Sequence, residues 1–221
     1  MRTALVTGGA RGIGKAICQR FEQAGYRVVA PTRGELELSS SQSVAAYVAA
    51  HCGETFDVII NNAGINDVHE IEEITDEEIQ RAMDINLIAP IKLIRGLVGG
   101  MKRQRYGRIV NIGSIWAVVS KPGRCVYAAT KNGIHGVTNT LAVELAPYNI
   151  LVNTLCPGFT LTELTRKNNT LEQMQQICSD IPMGRMAEPE EIAEVAYFLA
   201  SEQNTYLTGQ KITADGGFTE K

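Results

Sequence analysis

The sequence predicts an α/β fold in which helices cover both faces of a doubly wound, parallel sheet. Short runs rich in β-branched residues alternate with segments of helical period along the whole chain. A glycine-rich turn follows the first of these runs and precedes a helical segment, as in nucleotide-binding βα units. The length of 221 residues and the hydrophobic content of 44% suit a single domain, which we place over residues 1–221.

Six short apolar runs are the predicted strands, and five segments of helical period separate them. The strands are TALVT (3–7), YRVVA (26–30), DVIIN (57–61), RIVNIG (108–113), ILVNTL (150–155) and QKITA (210–214). The helices lie near 12–24, 41–52, 76–101, 124–146 and 189–200. Gly25 predicts the end of the first helix, Thr75 with Glu78 predicts a capping box, and Pro189 predicts a first helical turn.

The segment after the second strand is too short for the usual crossover. Only PTRG (31–34) separates the second strand from the next strand-like run, ELEL (35–38). A parallel crossover normally needs about a dozen residues or more. We therefore expect a shortened segment here, with the helix missing and the ELEL strand short or vestigial.

Composition excludes several classes of function. A net charge of −3 and a pI near 5.7 offer no basic footprint for nucleic acid. The most apolar stretch carries Lys92 and Arg95, so no membrane span is predicted. The chain enters a strand directly without a signal-peptide pattern, and its five cysteines are dispersed, which together predict a cytoplasmic location. The three histidines lack metal-ligand spacing, so no metal site is predicted.

The motif TGGARGIG (7–14) predicts a binding site for a dinucleotide pyrophosphate. Glycines without side chains let a phosphate approach the N-terminus of the following helix, where free N–H groups favour negative charge. The alternative is a tight glycine turn that binds nothing. The candidate residues of this motif are Gly8, Arg11, Gly12, Ile13 and Gly14.

The end of the second strand favours NADP(H) over NAD(H). VVAPTRG places Arg33 where an acidic residue would otherwise hold the ribose 2′-hydroxyl, and Arg11 is a second cation within reach. Two guanidiniums suit a 2′-phosphate. The alternative is a solvated Arg33, with Glu35 or Glu37 on the ribose.

A second group of polar residues predicts proton-transfer chemistry. Tyr127 and Lys131 in YAATK lie four residues apart and share a helix face, and Ser114 follows a strand end. An ammonium group about 4 Å from a phenol, at an effective dielectric of about 20, favours the phenolate by ~4 kcal/mol. The sequence therefore predicts a lowered pKa for Tyr127, by up to about three. Taken singly, Ser114 also fits a strand-end hydroxyl, and Asn86 a buried amide bonding to backbone.

Together, TGGARGIG, NNAG (61–64), Asn86, Ser114 and YAATK resemble the short-chain dehydrogenase/reductase superfamily in order and approximate spacing. The resemblance covers the whole chain and implies a Rossmann-like fold and an NAD(P)-dependent enzyme that interconverts a carbonyl and a secondary alcohol. It implies Tyr127 as general acid/base, Lys131 lowering its pKa and binding the nicotinamide ribose, Ser114 orienting substrate and Asn86 holding a relay water. It also implies a homo-oligomer, tetramer or dimer. The implied further cofactor contacts are Asn62, Ala63, Gly64, Pro157, Gly158 and Thr162.

Within that superfamily, NNAGI, GRIVNIGS, PEEIA and TGQ…DGG resemble 3-oxoacyl-[acyl-carrier-protein] reductases. This implies a ketoreductase whose substrate is an acyl thioester. The acidic segment 66–78 would repel an acidic carrier protein, and one basic patch is expected at Lys102, Arg103 and Arg105. A sugar-derived or other small free ketone is the competing substrate, and a catalytically silent nucleotide sensor is the alternative from another class.

Residues 159–186 are predicted to form the substrate lid, because this long segment follows the last motif at the cleft. Trp116, just beyond Ser114, is predicted either to line the substrate pocket or to pack in the core or an interface.

Overall fold

The computed structural model describes residues 1–220, apart from the side chains of Leu164, Lys167 and Asn168. Within that range one sheet of six parallel strands has the order β2-β1-β3-β4-β5-β6. The strands are β1 (Thr3–Val6), β2 (Arg27–Val29), β3 (Val58–Asn61), β4 (Gly107–Ile112), β5 (Ile150–Pro157) and β6 (Lys211–Ala214). All six predicted strands are confirmed. The order reverses beside β1, so a crevice opens at the carboxyl ends of β1 and β3.

Helices cover both faces of the sheet, as the alternating pattern predicts. They are α1 (Gly12–Gln23), α2 (Ser41–His51), α3 (Asp76–Met83), α4 (Ala89–Gln104), α5 (Cys125–Leu145), α6 (Glu163–Asn168), α7 (Leu171–Asp180) and α8 (Pro189–Ala200). None of the helices within residues 1–220 combines the length and apolarity needed to cross a bilayer.

The core is split by the sheet into two layers, because alternate residues of a strand point to opposite faces. Ala4 and Val6 of β1 pack with α1 and α8, whereas Leu5 between them packs with α2, α4 and α5. Both layers are fully buried at their centres. This double layer holds the carboxyl ends of the strands in fixed register for the site above them.

The segment between β2 and α2 contains neither a helix nor a strand, so the prediction of a missing helix is confirmed. Turns form instead: the Glu35 carboxylate accepts hydrogen bonds from the backbone N–H (2.7 Å) and hydroxyl (2.8 Å) of Thr32. Leu36 is buried against the α2/α4 layer. The ELEL run therefore anchors a turn through one leucine, and β2 is left as the outer strand.

The prediction of a single helix over 76–101 is wrong in detail. The structure divides it into α3, a π-helical turn at Asp84–Ile88, and α4. The capping box of Thr75 and Glu78 begins α3 as predicted. The inserted turn carries Asn86, and such single π turns often occur at functional sites.

Candidate active site

The glycine loop between β1 and α1 has the backbone that a phosphate site requires. Gly8 and Gly12 adopt φ values of +69° and +54°, which residues other than glycine rarely adopt. Arg11 is the extended N-cap of α1, and the first turn of α1 has no acidic residue. Ile13 packs partly buried against the α1/α8 layer. The first N–H groups of α1 thus face a concave loop with no competing carboxylate of the helix.

The glycine loop and the NNAG segment form one hydrogen-bonded unit. The Asn62 side-chain amide donates to the carbonyl oxygens of Thr7 (2.9 Å) and Gly8 (3.2 Å). In return, the hydroxyl of Thr7 accepts from the backbone N–H groups of Asn62 and Ala63, both at 3.1 Å. Thr7 was not predicted as a site residue, although its position just after β1 indicates that it reaches the crevice.

Gly64 lies directly against two of the predicted catalytic residues. A Cβ on Gly64 would stand 3.2 Å from Asn86 Oδ1 and 3.4 Å from Lys131 Nζ. The structure therefore brings together three residues that are 22 to 67 positions apart in the chain. Close approach explains why this position has no side chain.

Asn86 is buried and bonds to protein groups. Its Oδ1 accepts from the backbone N–H of Ile65 (2.9 Å), and its Nδ2 donates to the Ile65 carbonyl (2.9 Å) and to Thr130 Oγ1 (3.1 Å). Both amide hydrogens are used. The side chain therefore ties the π-helical turn to α5 and to the loop segment after NNAG, and the relay-water role remains a prediction.

Lys131 is buried beneath the site. Its Nζ donates a 2.7 Å hydrogen bond to the Ile112 carbonyl at the end of β4 and lies 5.6 Å from the centroid of the Tyr127 ring. Burial lowers the pKa of Lys131 to about 8. The amine is thus held between β4 and the tyrosine ring by a backbone carbonyl.

Tyr127 contacts Ser114 as predicted, but its acidity differs from the sequence prediction. The Ser114 hydroxyl is hydrogen-bonded to the phenol. Burial raises the pKa of Tyr127, although the Ser114 hydrogen bond and the charge of Arg124 act to lower it. The predicted net lowering of this pKa is wrong, because desolvation of the phenolate outweighs the neighbouring groups that favour it.

Ser114 is fixed by the sheet and by the turn that follows. It is buried, extends straight from β4, and accepts a 3.2 Å hydrogen bond from the backbone N–H of Trp116. This acceptor role leaves the hydroxyl hydrogen free to point toward the phenol or toward a substrate oxygen.

The remaining predicted cofactor contacts surround the same crevice. Pro157 ends β5, and a Cβ on Gly158 would meet Asp215 Cα at 2.6 Å. Thr162 caps α6, and its Cγ2 would lie 3.3 Å from a Cβ on Gly12. The segment after β5 therefore closes against the glycine loop.

The two predicted 2′-phosphate ligands differ in their surroundings. Arg33 is 77% exposed in its side chain and forms an ion pair with Glu37, whose pKa its hydrogen bond lowers to about 2. Arg11 is exposed and makes no ion pair within the described residues. Arg11 is therefore the cation more readily available to a phosphate.

An aromatic cluster stands beside Ser114. The ring centroid of Trp116 lies 6.0 Å from that of Phe159 and 6.2 Å from that of Phe218, and all contacts are edge to face. Trp116 packs with residues from the start and beyond the end of the predicted lid. On the α3 side of Tyr127 a small pocket is lined by polar Asp67, His69 and Glu78 and by apolar residues, which are Ile65, Ile74, Ala82 and Val126.

The predicted basic patch does not lie near this site. Lys102 and Arg103 end α4, just before β4 begins at Gly107, whereas Ser114 follows the other end of β4. A strand of six residues separates the two ends by about 20 Å. Lys102 pairs with Glu144 at 3.6 Å, and Arg105 donates to the Pro147 carbonyl at 2.6 Å.

The residues present fit a dinucleotide. The glycine loop forms a cradle that side chains would fill. Two of its glycines have positive φ, the helix N-terminus has no side-chain cap, and a Cβ added to Gly14 would lie 2.2 Å from the Gly8 carbonyl. The buried Ser114 and Lys131 and the half-buried Tyr127 stand at the far end of the same crevice.

Comparisons with known proteins agree with this geometry. A family model described as enoyl-(acyl carrier protein) reductase matches residues 35–219, and one described as short chain dehydrogenase matches residues 2–52. The chain is 34% identical to the 3-oxoacyl-[acyl-carrier-protein] reductase FabG of Vibrio cholerae, covering 98% of this chain and 96% of that protein. It is 38% identical to the acetoacetyl-CoA reductase of Rhizobium meliloti, covering 98% of both.

Solved structures show the same likeness. A protein from Beutenbergia cavernae, described as an NAD(P)-dependent gluconate 5-dehydrogenase with NADP bound at low occupancy, superposes with a TM-score of 0.93 at 32% identity, covering 100% of this chain and 97% of that one. A short chain dehydrogenase family protein from Francisella tularensis also gives 0.93 at 32% identity, covering both chains fully. The chain belongs to the short-chain dehydrogenase/reductase family and is an NAD(P)-dependent oxidoreductase that interconverts a carbonyl and a secondary alcohol.

Proposed function

We propose that this protein is an NADPH-dependent ketoreductase of the 3-oxoacyl reductase type, with Tyr127 as its general acid/base. The observation that carries the proposal is the contact of the Tyr127 phenol with Ser114 above the buried amine of Lys131. The similarity to 3-oxoacyl and acetoacetyl-CoA reductases supports 3-oxoacyl compounds as the first substrates to test.

The protein's own residues would handle the proton and orient the substrate. Bound in the crevice, the nicotinamide nucleotide would supply the hydride that the carbonyl carbon receives. Ser114 would donate a hydrogen bond to the carbonyl oxygen, and Tyr127 would pass its proton to that oxygen as negative charge develops there. A raised pKa suits Tyr127 to the role of acid, since the phenol stays protonated at neutral pH.

Lys131 and Asn86 would support this transfer without touching the substrate carbon. The Lys131 ammonium would stabilise the phenolate after the proton has left, and it is close enough to Gly64 to meet a ribose lying along that segment. Asn86 would hold the π-helical turn in place through its bonds to Ile65 and Thr130. The cofactor contacts predicted at Asn62, Ala63, Pro157, Gly158 and Thr162 belong to this same proposal.

The test follows NADPH oxidation at 340 nm with acetoacetyl-CoA, ethyl acetoacetate and a set of sugar-derived ketones. Turnover of the first two above the sugar ketones is expected. NADPH binding without turnover of any ketone would contradict the proposal.

A sugar-derived ketone is the second candidate substrate. Asp67, His69 and Glu78 line the pocket beside Tyr127 with groups that bond to hydroxyls, and His69 Nε2 lies 3.2 Å from Glu78 Oε1. The similarity to a protein described as a gluconate 5-dehydrogenase points the same way. Higher kcat/KM on the sugar ketones would favour this candidate.

The preference for NADPH is expected to depend mainly on Arg11. Arg33 forms an ion pair with Glu37, whereas Arg11 forms none within the described part of the chain. Replacing Arg11 with Gln should raise KM for NADPH about tenfold, the loss of one charge-assisted contact, and change KM for NADH little. Steady-state kinetics with both nucleotides measure this.

The matched control is Lys15→Gln, which removes an exposed cation one turn further along α1. It should leave both Michaelis constants within about twofold of wild type, because surface charges at such positions are screened. A wild-type preference for NADH would overturn the assignment of cofactor.

Residues 159–186 are proposed as the lid, and this is supported by how the segment is held. A parallel bridge of Thr160 and Ala187 joins its two ends, with Leu161 N–H donating to the Ala187 carbonyl at 2.8 Å. Between them α7 buries none of its described side chains, and Leu171 is 75% exposed. Weakly packed helices open easily.

Hydrogen exchange should detect the lid directly. Backbone amides of 163–180 are expected to exchange at least tenfold more slowly when NADPH is added, while those of buried β4 stay unchanged. Equal protection of 163–180 with and without nucleotide would argue against a lid.

We also propose a homo-oligomer, tetramer or dimer, in the cytoplasm. Val143 on α5 leaves 78% of its surface exposed, which suits burial against a second copy. All five cysteines are free thiols, which suits a reducing compartment. Light scattering of the purified protein would decide the first point.

A further inference from the structure

Arg124 is a cation beside the proposed acid/base that the catalytic scheme above does not use. It is the N-cap residue of α5, one helical turn before Tyr127, and is partly buried. Its Nε atom is buried and has no hydrogen-bond partner. Residues three apart on a helix share a face, so the guanidinium lies on the same side of α5 as the phenol.

No carboxylate of the described chain compensates this charge. The side chain of Arg124 forms no ion pair or hydrogen bond within residues 1–220, and the phenol of Tyr127 is the ionisable group whose charge acts on it there. Burial lowers the pKa of Arg124, which indicates that the guanidinium has lost solvation. An arginine in this state gains more from an anion than a solvated one does.

Arg108 shows what a purely structural arginine looks like in this protein. Its Nε is also buried without a partner, but its Nη atoms donate to three carbonyls: those of Gly107 (2.8 Å), Asn149 (3.1 Å) and Asn204 (3.0 Å). Arg124 has no such bonds. Its two terminal nitrogens are neither buried nor bonded, so they are open to a ligand.

The position limits which anion can reach Arg124. The guanidinium acts on the Tyr127 phenol, and that phenol must meet the reacting carbonyl oxygen. The anion therefore lies within a few bonds of the ketone. The phosphates of an acyl-CoA are separated from a 3-oxo group by the whole pantetheine arm, so they do not meet this requirement. A carboxylate of a small molecule does.

We propose that Arg124 binds a carboxylate of the substrate, and that the enzyme reduces a small oxo acid to the corresponding hydroxy acid. This rests on the proposed ketoreductase chemistry and assigns it a free oxo acid, in place of an acyl thioester, as the preferred substrate. The ketone carbon receives the hydride and its oxygen receives the Tyr127 proton, so the oxo acid gains two electrons and the nucleotide loses them. The carboxylate itself is unchanged. Asp67 and Glu78 line the pocket on the α3 side, and Arg124 is not part of that lining.

The test compares each oxo acid with a neutral analogue of the same size. The probes are acetoacetate against acetoacetamide, and levulinate against levulinamide. Wild-type kcat/KM is expected to be about 10- to 100-fold higher for the acids, the range of one charge-assisted pair. In Arg124→Gln this ratio should fall at least tenfold, chiefly through KM for the acid, and Arg124→Lys should restore part of it.

Lys121→Gln is the matched control, because Lys121 is an exposed cation in the same loop. It should leave the acid-to-neutral ratio unchanged, and thermal melting should show that each variant is folded. Reduction of acids and neutral analogues with equal kcat/KM would overturn the role of Arg124 and leave the ketoreductase function standing.

If no ketone is reduced, the ketoreductase function itself fails. Calorimetric titration of 3-hydroxybutyrate and its amide into the NADP-loaded protein would still decide the inference. Tighter binding of the acid by wild type, lost in Arg124→Gln, would support it, and equal binding would overturn it.

Discussion

Replacing Tyr127 with Phe is expected to lower kcat on the best ketone substrate by about 10²- to 10⁴-fold, the range for loss of a positioned general acid. Phenylalanine fills the same volume and keeps the ring above Lys131, while the oxygen that contacts Ser114 is removed. KM should change little, because the proton transfer belongs to the transition state. Initial rates at 340 nm with saturating NADPH measure the effect.

NADPH binding provides the control for this variant. Nucleotide fluorescence titration should give a dissociation constant within about threefold of wild type, because the glycine loop is untouched. The kcat of Ser114→Ala should lie between those of wild type and Tyr127→Phe, since this variant loses one hydrogen bond to the substrate oxygen and keeps the proton donor. A Tyr127→Phe enzyme with more than a tenth of wild-type kcat would refute the assignment.

The second large effect is expected from Gly14→Ala. A Cβ here would stand 2.2 Å from the Gly8 carbonyl oxygen and 2.4 Å from Asn62 Nδ2. Because both contacts are far inside van der Waals distance, the loop must move and the bonds from Asn62 to Thr7 and Gly8 must lengthen. Affinity for NADPH should fall at least tenfold, and the free energy of unfolding by about 1–3 kcal/mol.

Gly136→Ala is the matched control, the same chemical change on α5 with no atom within 4 Å of the new Cβ. It should leave NADPH affinity unchanged and raise the free energy of unfolding by up to about 1 kcal/mol, because alanine favours the helix. Denaturant titration and fluorescence titration of both variants give the comparison. Equal losses from the two substitutions would show that the loop contact is not the cause.

The six strands were predictable because each central strand is buried on both faces and reads as an unbroken apolar run. Helices α6 and α7 were missed for the opposite reason. In α7, Leu171, Met174 and Cys178 recur at helical spacing over only ten residues and none of them is buried, so the apolar pattern is short, and the pair of Thr170 and Gln173 marks its start. The π-helical turn around Asn86 was equally hidden, because one extra residue in a helix leaves no local sequence signal.

The site divides in a similar way. Glycine positions are predictable from spacing because the backbone itself demands them. The acidity of Tyr127 was not predictable, because its direction depends on how strongly the folded chain desolvates the phenol, and burial outweighs the groups that favour the phenolate. Arg124 was missed for want of a motif, although its place three residues before the tyrosine put it on the right face of the helix.

The segment without a helix or strand after β2 also leaves β2 as the edge strand of the sheet. A lateral strand exposes unpaired N–H and C=O groups that invite another chain to add to the sheet. Here that strand is only three residues long, begins with exposed Arg27 and is followed by Pro31, which lacks an N–H. The edge strand that remains after the shortened segment therefore offers few free backbone groups to which another chain could add.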